Sequence, residues 1–157
     1  MMMKREYVLA GAVCAGLFSV GKAWAGFKLP SAMFELAELE TAQAEAREKR
    51  KPIAVVYTDH TTTCGLCTSA SKTIIDELDS RCIMVYMPSS LKQWPDFVKK
   101  AKAFKRGKYI PKVAVFDVEL KTMLGEVVYE DIKKDGDDAF DDVLKTIRNY
   151  SKTLPKN

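Results

Sequence analysis

The sequence predicts an α/β fold in which a four-stranded mixed sheet is flanked by helices, with an extra helix at the N-terminal side. Two continuous apolar runs rich in β-branched residues, 53–58 and 82–87, are typical of strands buried on both faces. A segment of helical periodicity lies between them, as in a parallel strand pair joined by a helix. Two further strands, 109–117 and 123–129, have only a short connection and therefore predict a hairpin.

The bulk properties of the chain are those of one globular domain. Its 157 residues suffice for a hydrophobic core, and 47% hydrophobic with 29% charged residues is an ordinary composition. The formal net charge of +4 is mild. Composition therefore does not indicate a nucleic-acid partner.

Residues 1–25 have the features of a targeting segment. Lys4 and Arg5 form a positive start, residues 7–20 are almost continuously apolar or small, and Ala23-Trp24-Ala25 is a small-x-small cleavage pattern. The apolar stretch is shorter than the roughly 20 residues that span a bilayer. We expect a signal peptide over 1–25, a mature domain over 26–157, and a periplasmic or secreted location. An uncleaved membrane anchor is the alternative.

The first half of the chain predicts two helices around the first strand. Residues 32–50 are rich in Ala, Glu, Lys and Arg, with Ser31 as a helix cap and Pro52 as the end of the helix. A polar loop, 59–63, follows the first strand and leads to a second helix that starts at Cys64. Apolar residues at helical spacing run along that helix as far as Leu78.

The second half predicts two more helices. Pro95 suits the first turn of a third helix, Gly107 suits its end, and the inner stripe comprises Phe97, Val98, Ala101 and Phe104. An acidic loop, 135–138, precedes the final helix. The apolar stripe of that helix has the spacing i, i+3, i+4, i+7 and consists of Phe140, Val143, Leu144 and Ile147.

A C-x-x-C pair, Cys64-Gly65-Leu66-Cys67, lies where the first strand gives way to the second helix. A helix N-terminus offers unpaired N–H groups and partial positive charge, which stabilise a thiolate on Cys64. We therefore predict Cys64 as the nucleophile and Cys67, one turn into the helix, as a buried resolving cysteine. Cys82 opens a predicted strand and is expected to be a buried, small apolar residue.

Two residues near the pair are candidate modulators. His60, the single histidine of the chain, could favour the thiolate, move a proton or bind a metal ion, although most loop histidines do none of these. Asp59 is the acidic residue nearest to the end of the first strand. A basic run is expected to be a solvated face rather than a binding site, and it comprises Lys99, Lys100, Lys102, Lys105, Arg106, Lys108 and Lys112.

Over roughly residues 50–150 the sequence resembles the thioredoxin-like superfamily. The resemblance depends on the strand that leads into Cys64-Gly65-Leu66-Cys67, the helix behind it, Ile110-Pro111 before a later strand, and the closing hairpin and helix. It implies a cis peptide bond at Pro111, which would face the cysteines. It also implies that the backbone at Ile110 pairs with an extended substrate segment.

Three positions differ from the usual pattern of that superfamily. Thr63 occupies the place of a frequent tryptophan, and Gly65-Leu66 replaces Gly-Pro between the cysteines. The strand over 53–57 contains no acidic residue, whereas thioredoxins keep a carboxylate there beneath the second cysteine. These differences argue against efficient thioredoxin-type reduction.

The predicted function is that of an exported thiol–disulfide oxidoreductase. It would reduce or isomerise disulfides in other secreted or periplasmic proteins through Cys64 and Cys67, without a bound cofactor or metal. A partner redox protein would supply or accept electrons. Two alternatives remain open: a soft-metal module that binds copper through the cysteines and His60, and a redox-silent scaffold whose groove only binds a partner.

Overall fold

The computed structural model describes residues 26–155, so the expected signal peptide over 1–25 lies outside the described residues. Five strands and six helices make up this part of the chain. The strands are β1 (Phe34–Glu35), β2 (Ile53–Thr58), β3 (Ile83–Pro88), β4 (Lys112–Phe116) and β5 (Met123–Val128). The helices are α1 (Leu39–Lys49), α2 (Gly65–Leu78), α3 (Asp96–Lys99), α4 (Lys102–Lys105), α5 (Tyr129–Asp135) and α6 (Asp141–Thr153).

The strands form one mixed sheet in the order β1-β3-β2-β4-β5. β2 and β3 are parallel, with Val55 opposite Val85, and α2 connects them. β4 is antiparallel to both β2 and β5, so β4 and β5 form the predicted hairpin. The structure thus confirms the α/β class, the mixed sheet and the parallel β2–α2–β3 unit.

The sheet has five strands in the described chain rather than the predicted four because Phe34 and Glu35 pair with β3. The sequence analysis predicted a helix over 32–50, which includes Phe34 and Glu35, and this prediction was wrong for these two residues. The backbone hydrogen bonds that these residues form beside Val85 and Tyr86 outweigh the weak helical preference of so short a segment. The helix itself starts at Leu39, after a 3-10 turn over Leu36–Glu38.

Two other helical predictions differ from the structure. The third predicted helix is two short helices, α3 and α4, because Ala101 between them has an extended backbone (φ −72°, ψ 126°). The break still leaves Val98, Ala101 and Phe104 buried, as the apolar stripe predicts. A strand was expected as far as Tyr129 and an acidic loop over 135–138, yet α5 starts at Tyr129 and a 3-10 turn covers Gly136–Phe140.

The sheet separates two apolar layers. Along β2, Ile53 and Val55 face the layer that contains α1, α3 and α4, whereas Ala54 and Val56 face the layer that contains α2 and α6. Phe140, Val143 and Ile147 are buried in the second layer, which confirms the stripe of the last helix. In residues 26–155, no helix has the length and apolar character that crossing a membrane requires.

Candidate active site

The two sulfurs of the C-x-x-C segment lie together at the N-terminus of α2. Cys64 is the N-cap of the helix, with an extended backbone (φ −75°, ψ 107°), and its Sγ accepts the Cys67 N–H at 3.3 Å. The Cys67 thiol donates to the same sulfur at 2.8 Å. In this dithiol state the Cys64 sulfur therefore receives two hydrogen bonds from Cys67.

These contacts lower the pKa of the exposed Cys64 thiol below its ordinary value. The largest contribution is the hydrogen bond from the Cys67 thiol, followed by the Cys67 N–H; the Leu66 N–H adds a smaller one. All three groups stabilise the anion, and slight desolvation opposes them. Both backbone donors belong to the first turn of α2, and the role of Cys64 as the nucleophile remains a prediction.

The same geometry raises the pKa of Cys67. Desolvation is the largest effect, and the hydrogen bond and charge of Cys64 add to it, so that the pKa of Cys67 rises to about 11. The Asp59 carboxylate contributes a further small increase. Cys67 is half-buried rather than fully buried as predicted.

The two candidate modulators lie in the loop before Cys64. Nδ1 of His60 is 2.9 Å from the Tyr86 hydroxyl on β3, and the two rings meet edge to face. The Asp59 carboxylate accepts the N–H and hydroxyl of Thr61 at 2.9 and 2.7 Å. Both side chains therefore order the loop that carries Cys64. Their roles in chemistry remain predictions.

A neutral hydroxyl pair lies at the end of β2. The Thr58 and Ser71 hydroxyls are 2.8 Å apart, and both residues are fully buried. Ser71 lies one helical turn beyond Cys67 on α2, which directs both side chains to the same side of the helix. The sequence analysis noted that this strand has no carboxylate but missed the hydroxyl pair, whose partners come from separate elements.

The bond between Ile110 and Pro111 is cis, as the resemblance implies. Because Tyr57 pairs with Lys112, the end of β2 and the start of β4 lie at the same edge of the sheet. The cysteine loop leaves from this edge and Pro111 enters it. Register thus brings the two predicted parts of the site to one edge. The pairing of Ile110 with a substrate remains a prediction.

Glu130 holds the segment that precedes the cis-proline, a role that the sequence analysis missed. Its Oε1 accepts the N–H groups of Lys108 and Tyr109 at 2.7 and 3.2 Å. Burial favours the neutral carboxyl, but these N–H groups, with the charge of Lys112, outweigh it and lower the pKa of Glu130. Gly107 has a left-handed backbone (φ 73°), and a Cβ there would lie 2.5 Å from Glu130 Oε2.

The remaining predictions concern Cys82 and the basic run. Cys82 is buried, as predicted, and burial raises its pKa to about 12. The basic run is not uniformly a solvated face, because Lys112 is buried with its Nζ donating to the Gly107 carbonyl at 2.8 Å. Arg106 in that run makes an ion pair with Asp131. Within 26–155, no three His, Cys, Asp or Glu side chains are grouped closely enough to bind a metal ion.

Comparison with known proteins supplies similarity in overall shape. No protein-family model and no curated protein matches the sequence. Among solved structures, thioredoxin O2 from Arabidopsis thaliana in its oxidised state is similar at 16% identity and a TM-score of 0.39, over 82% of this chain and 100% of that one. A DsbH oxidoreductase is similar at 16% identity and a TM-score of 0.43, over 96% of both chains.

The topology of residues 26–155 defines the fold. A parallel β2–α2–β3 unit, an antiparallel β4–β5 hairpin and a cis-proline at the edge where the C-x-x-C loop leaves the sheet constitute a thioredoxin-like fold.

Proposed function

We propose that this protein carries out thiol–disulfide exchange on other exported proteins, reducing or isomerising their disulfides. The observation that carries the proposal is the asymmetry of the two cysteines. The exposed Cys64 sulfur receives two hydrogen bonds from Cys67, and the pKa values of the two thiols shift in opposite directions. One cysteine is thus prepared for attack while the other retains its proton.

Reduction proceeds in two exchanges. The Cys64 thiolate attacks one sulfur of the substrate disulfide, a Cys64–substrate disulfide forms, and the other substrate sulfur leaves as a thiolate and takes up a proton. Cys67 then loses its proton and attacks Cys64 Sγ. This step forms the Cys64–Cys67 disulfide and releases the second substrate sulfur as a thiol. The substrate gains two electrons from the cysteine pair and two protons. One proton comes from Cys67, and the other comes from solvent, to which Cys64 lost its proton when it ionised.

Isomerisation uses the first exchange without net electron transfer. A different substrate thiolate attacks the mixed disulfide, forms a new disulfide within the substrate and releases Cys64 unchanged. After reduction, by contrast, a dithiol partner protein must return two electrons to the Cys64–Cys67 disulfide. No bound cofactor takes part in either cycle.

Serine substitutions test the assignment of roles. Cys64→Ser is expected to abolish reduction of an insulin-type disulfide substrate. Cys67→Ser is expected to accumulate mixed disulfides that separate on a non-reducing gel. Cys82→Ser is the matched control, because Cys82 is buried away from the sulfur pair. This substitution is expected to leave exchange intact. Full activity in both active-site variants would refute the mechanism.

The reduction potential of the pair tests the direction of electron flow. Equilibration with glutathione buffers is expected to give a value between about −270 mV, as in thioredoxin, and about −180 mV, as in protein disulfide isomerase. A value near about −120 mV, as in a strong oxidase, would replace reduction or isomerisation with oxidation. A pair that does not exchange at all would favour the redox-silent scaffold.

Export of the protein is part of the proposal. The Phe27 N–H donates to the His60 carbonyl at 3.0 Å, and the Phe27 side chain is buried. Cleavage after Ala25 would keep both contacts in the mature chain. Cell fractionation and N-terminal sequencing are expected to find a periplasmic or secreted chain that begins at Gly26. A cytosolic chain that retains residues 1–25 would contradict this prediction.

A further inference from the structure

We propose a substrate preference for this site, and the preference rests on the proposed exchange activity. The groove between α2 and α5 binds a substrate segment that carries an apolar side chain next to an aspartate or glutamate, close to the reacting cysteine. The apolar side chain enters the groove, and the carboxylate meets Lys133 or Lys108.

Exposed apolar residues mark this surface. Within residues 26–155, the large hydrophobic side chains that are exposed are Leu66, at 67%, and Tyr109, at 53%. Leu66 lies between the two cysteines, and Tyr109 directly precedes Ile110 and the cis-proline. Single exposed apolar residues are common, but their concentration around one site is typical of a binding surface.

Tyr129 connects the two exposed residues. Its ring meets the Tyr109 ring edge to face, with centroids 5.9 Å apart. Tyr129 also lines a cavity with Leu66, Ala70 and Ile132, where the first turns of α2 approach α5. The apolar surface is therefore continuous from the cysteine pair to the segment before Pro111.

The cavity has the size of one large side chain. Its volume is about 160 Å³, close to the roughly 150 Å³ that accommodates a benzene-sized group in a protein interior. Ser69 and Thr73 supply its polar rim. A leucine or phenylalanine of a bound segment fits such a space, and its burial there favours binding.

The charges around the groove define the second part of the preference. Lys133 lines the cavity, and Lys108 lies with its Nζ 5.5 Å from the centre of the Tyr109 ring. The nearby acids are already engaged: Glu130 accepts backbone N–H groups, and Asp131 accepts two hydrogen bonds from Arg106. In the described chain, neither Lys133 nor Lys108 has a carboxylate within ion-pair distance. A substrate carboxylate complements both.

Single-turnover kinetics with synthetic peptides test the preference. Each peptide carries one cysteine capped with glutathione as a mixed disulfide, and the pre-reduced protein converts it to free peptide and glutathione as its own disulfide forms. Peptides with Leu-Asp, Ala-Asp or Leu-Asn beside the cysteine, on either side of it, differ in one contact each. The assay measures the second-order rate constant at low and high salt.

The Leu-Asp peptide is expected to react at least about tenfold faster than Ala-Asp, because about tenfold is the lower limit of the discrimination that a hydrophobic pocket provides for a single methylene group. It is expected to react about two- to fivefold faster than Leu-Asn, with the difference lost at high salt. Lys133→Gln combined with Lys108→Gln is expected to remove the preference for Asp over Asn. Lys121→Gln is the matched control, because Lys121 is exposed in the β4–β5 turn at the opposite edge of the sheet.

Oxidised glutathione separates the two possible failures. If the protein reduces oxidised glutathione but all three peptides react at the same rate, the groove preference is refuted and the exchange activity stands. If the lysine variants keep the full preference for Asp, the charge assignment is refuted. If neither the peptides nor oxidised glutathione react, the proposed function itself fails.

Discussion

Replacing Glu130 with alanine is expected to loosen the segment that precedes the cis-proline. The Glu130 carboxylate is the acceptor for two successive backbone donors, the N–H groups of Lys108 and Tyr109. Its second oxygen is buried, and the buried ammonium of Lys112 contributes to its low pKa. Alanine removes the acceptor and the charge together, whereas Glu130→Gln keeps an oxygen in the same place.

The magnitude follows from what happens to the two donors. A buried donor that loses its partner costs about 1–3 kcal/mol, but the side chains of Lys108 and Tyr109 are exposed, so water can replace part of each bond. We therefore expect Glu130→Ala to reduce the free energy of unfolding by about 1–3 kcal/mol in total. Glu130→Gln is expected to cost less, about 0.5–1.5 kcal/mol, because a neutral oxygen is only a weaker acceptor.

Urea unfolding of both variants measures these changes, and peptide reduction kinetics measure the consequence for Tyr109. The folded-state pKa of Glu130 lies below its ordinary value, so the stability from its charge is present above about pH 4.3 and is lost as pH falls through the folded-state pKa. The difference between wild type and Glu130→Gln is thus expected to vanish in acid. If both variants unfold within about 0.5 kcal/mol of wild type at pH 7, the reasoning is refuted.

Three other predictions address the sulfur pair and the core. As pH is raised, the alkylation rate of Cys64 is expected to increase with a midpoint below the ordinary cysteine pKa of about 8.5. In the Cys64→Ser variant, burial is expected to keep the midpoint for Cys67 above that value. Midpoints in the reverse order would contradict the geometry. Phe140→Ala empties a fully buried position and is expected to cost about 3–5 kcal/mol in urea unfolding, so a cost below 1 kcal/mol would argue against this packing. Gly125→Ala places a Cβ 2.8 Å from Val143 Cγ2. The free energy of unfolding is expected to fall by about 1–3 kcal/mol in thermal or urea unfolding, and Val143→Ala is expected to restore it. An unchanged free energy of unfolding would mean that α6 packs farther from β5.

Local sequence patterns predicted the central part of the fold well. The β-branched run of β2 and the helical spacing of α2 are strong signals, and their bounds in the structure agree with the prediction. β1 has no such signal, because two residues become a strand only through pairing with Val85 and Tyr86. α5 was missed because its one full turn of apolar spacing, Tyr129 to Ile132, is too short to indicate a helix.

The candidate site also contains residues that local sequence patterns predict and residues that they do not. Cys64 and Cys67 could be found from the sequence because their spacing alone puts both sulfurs in one helical turn. The contacts of Glu130 could not, since its acceptor role depends on donors that lie 21 and 22 residues earlier in the chain. No periodicity or local motif encodes a contact of that range. Only the folded hairpin brings the start of α5 to the segment before Pro111.

The groups that lower the pKa of Cys64 are neutral, and this bears on the proposed direction of electron flow. Within the described chain, a thiol and two backbone N–H groups are what lowers the pKa of Cys64. His60 instead has its Nδ1 at the Tyr86 hydroxyl. A thiolate held by a cationic neighbour stabilises the reduced state strongly and makes a pair a strong oxidant. Because the stabilisation here comes from neutral donors, we expect the reduced state to be favoured only moderately, as the proposed reduction or isomerisation of substrate disulfides requires.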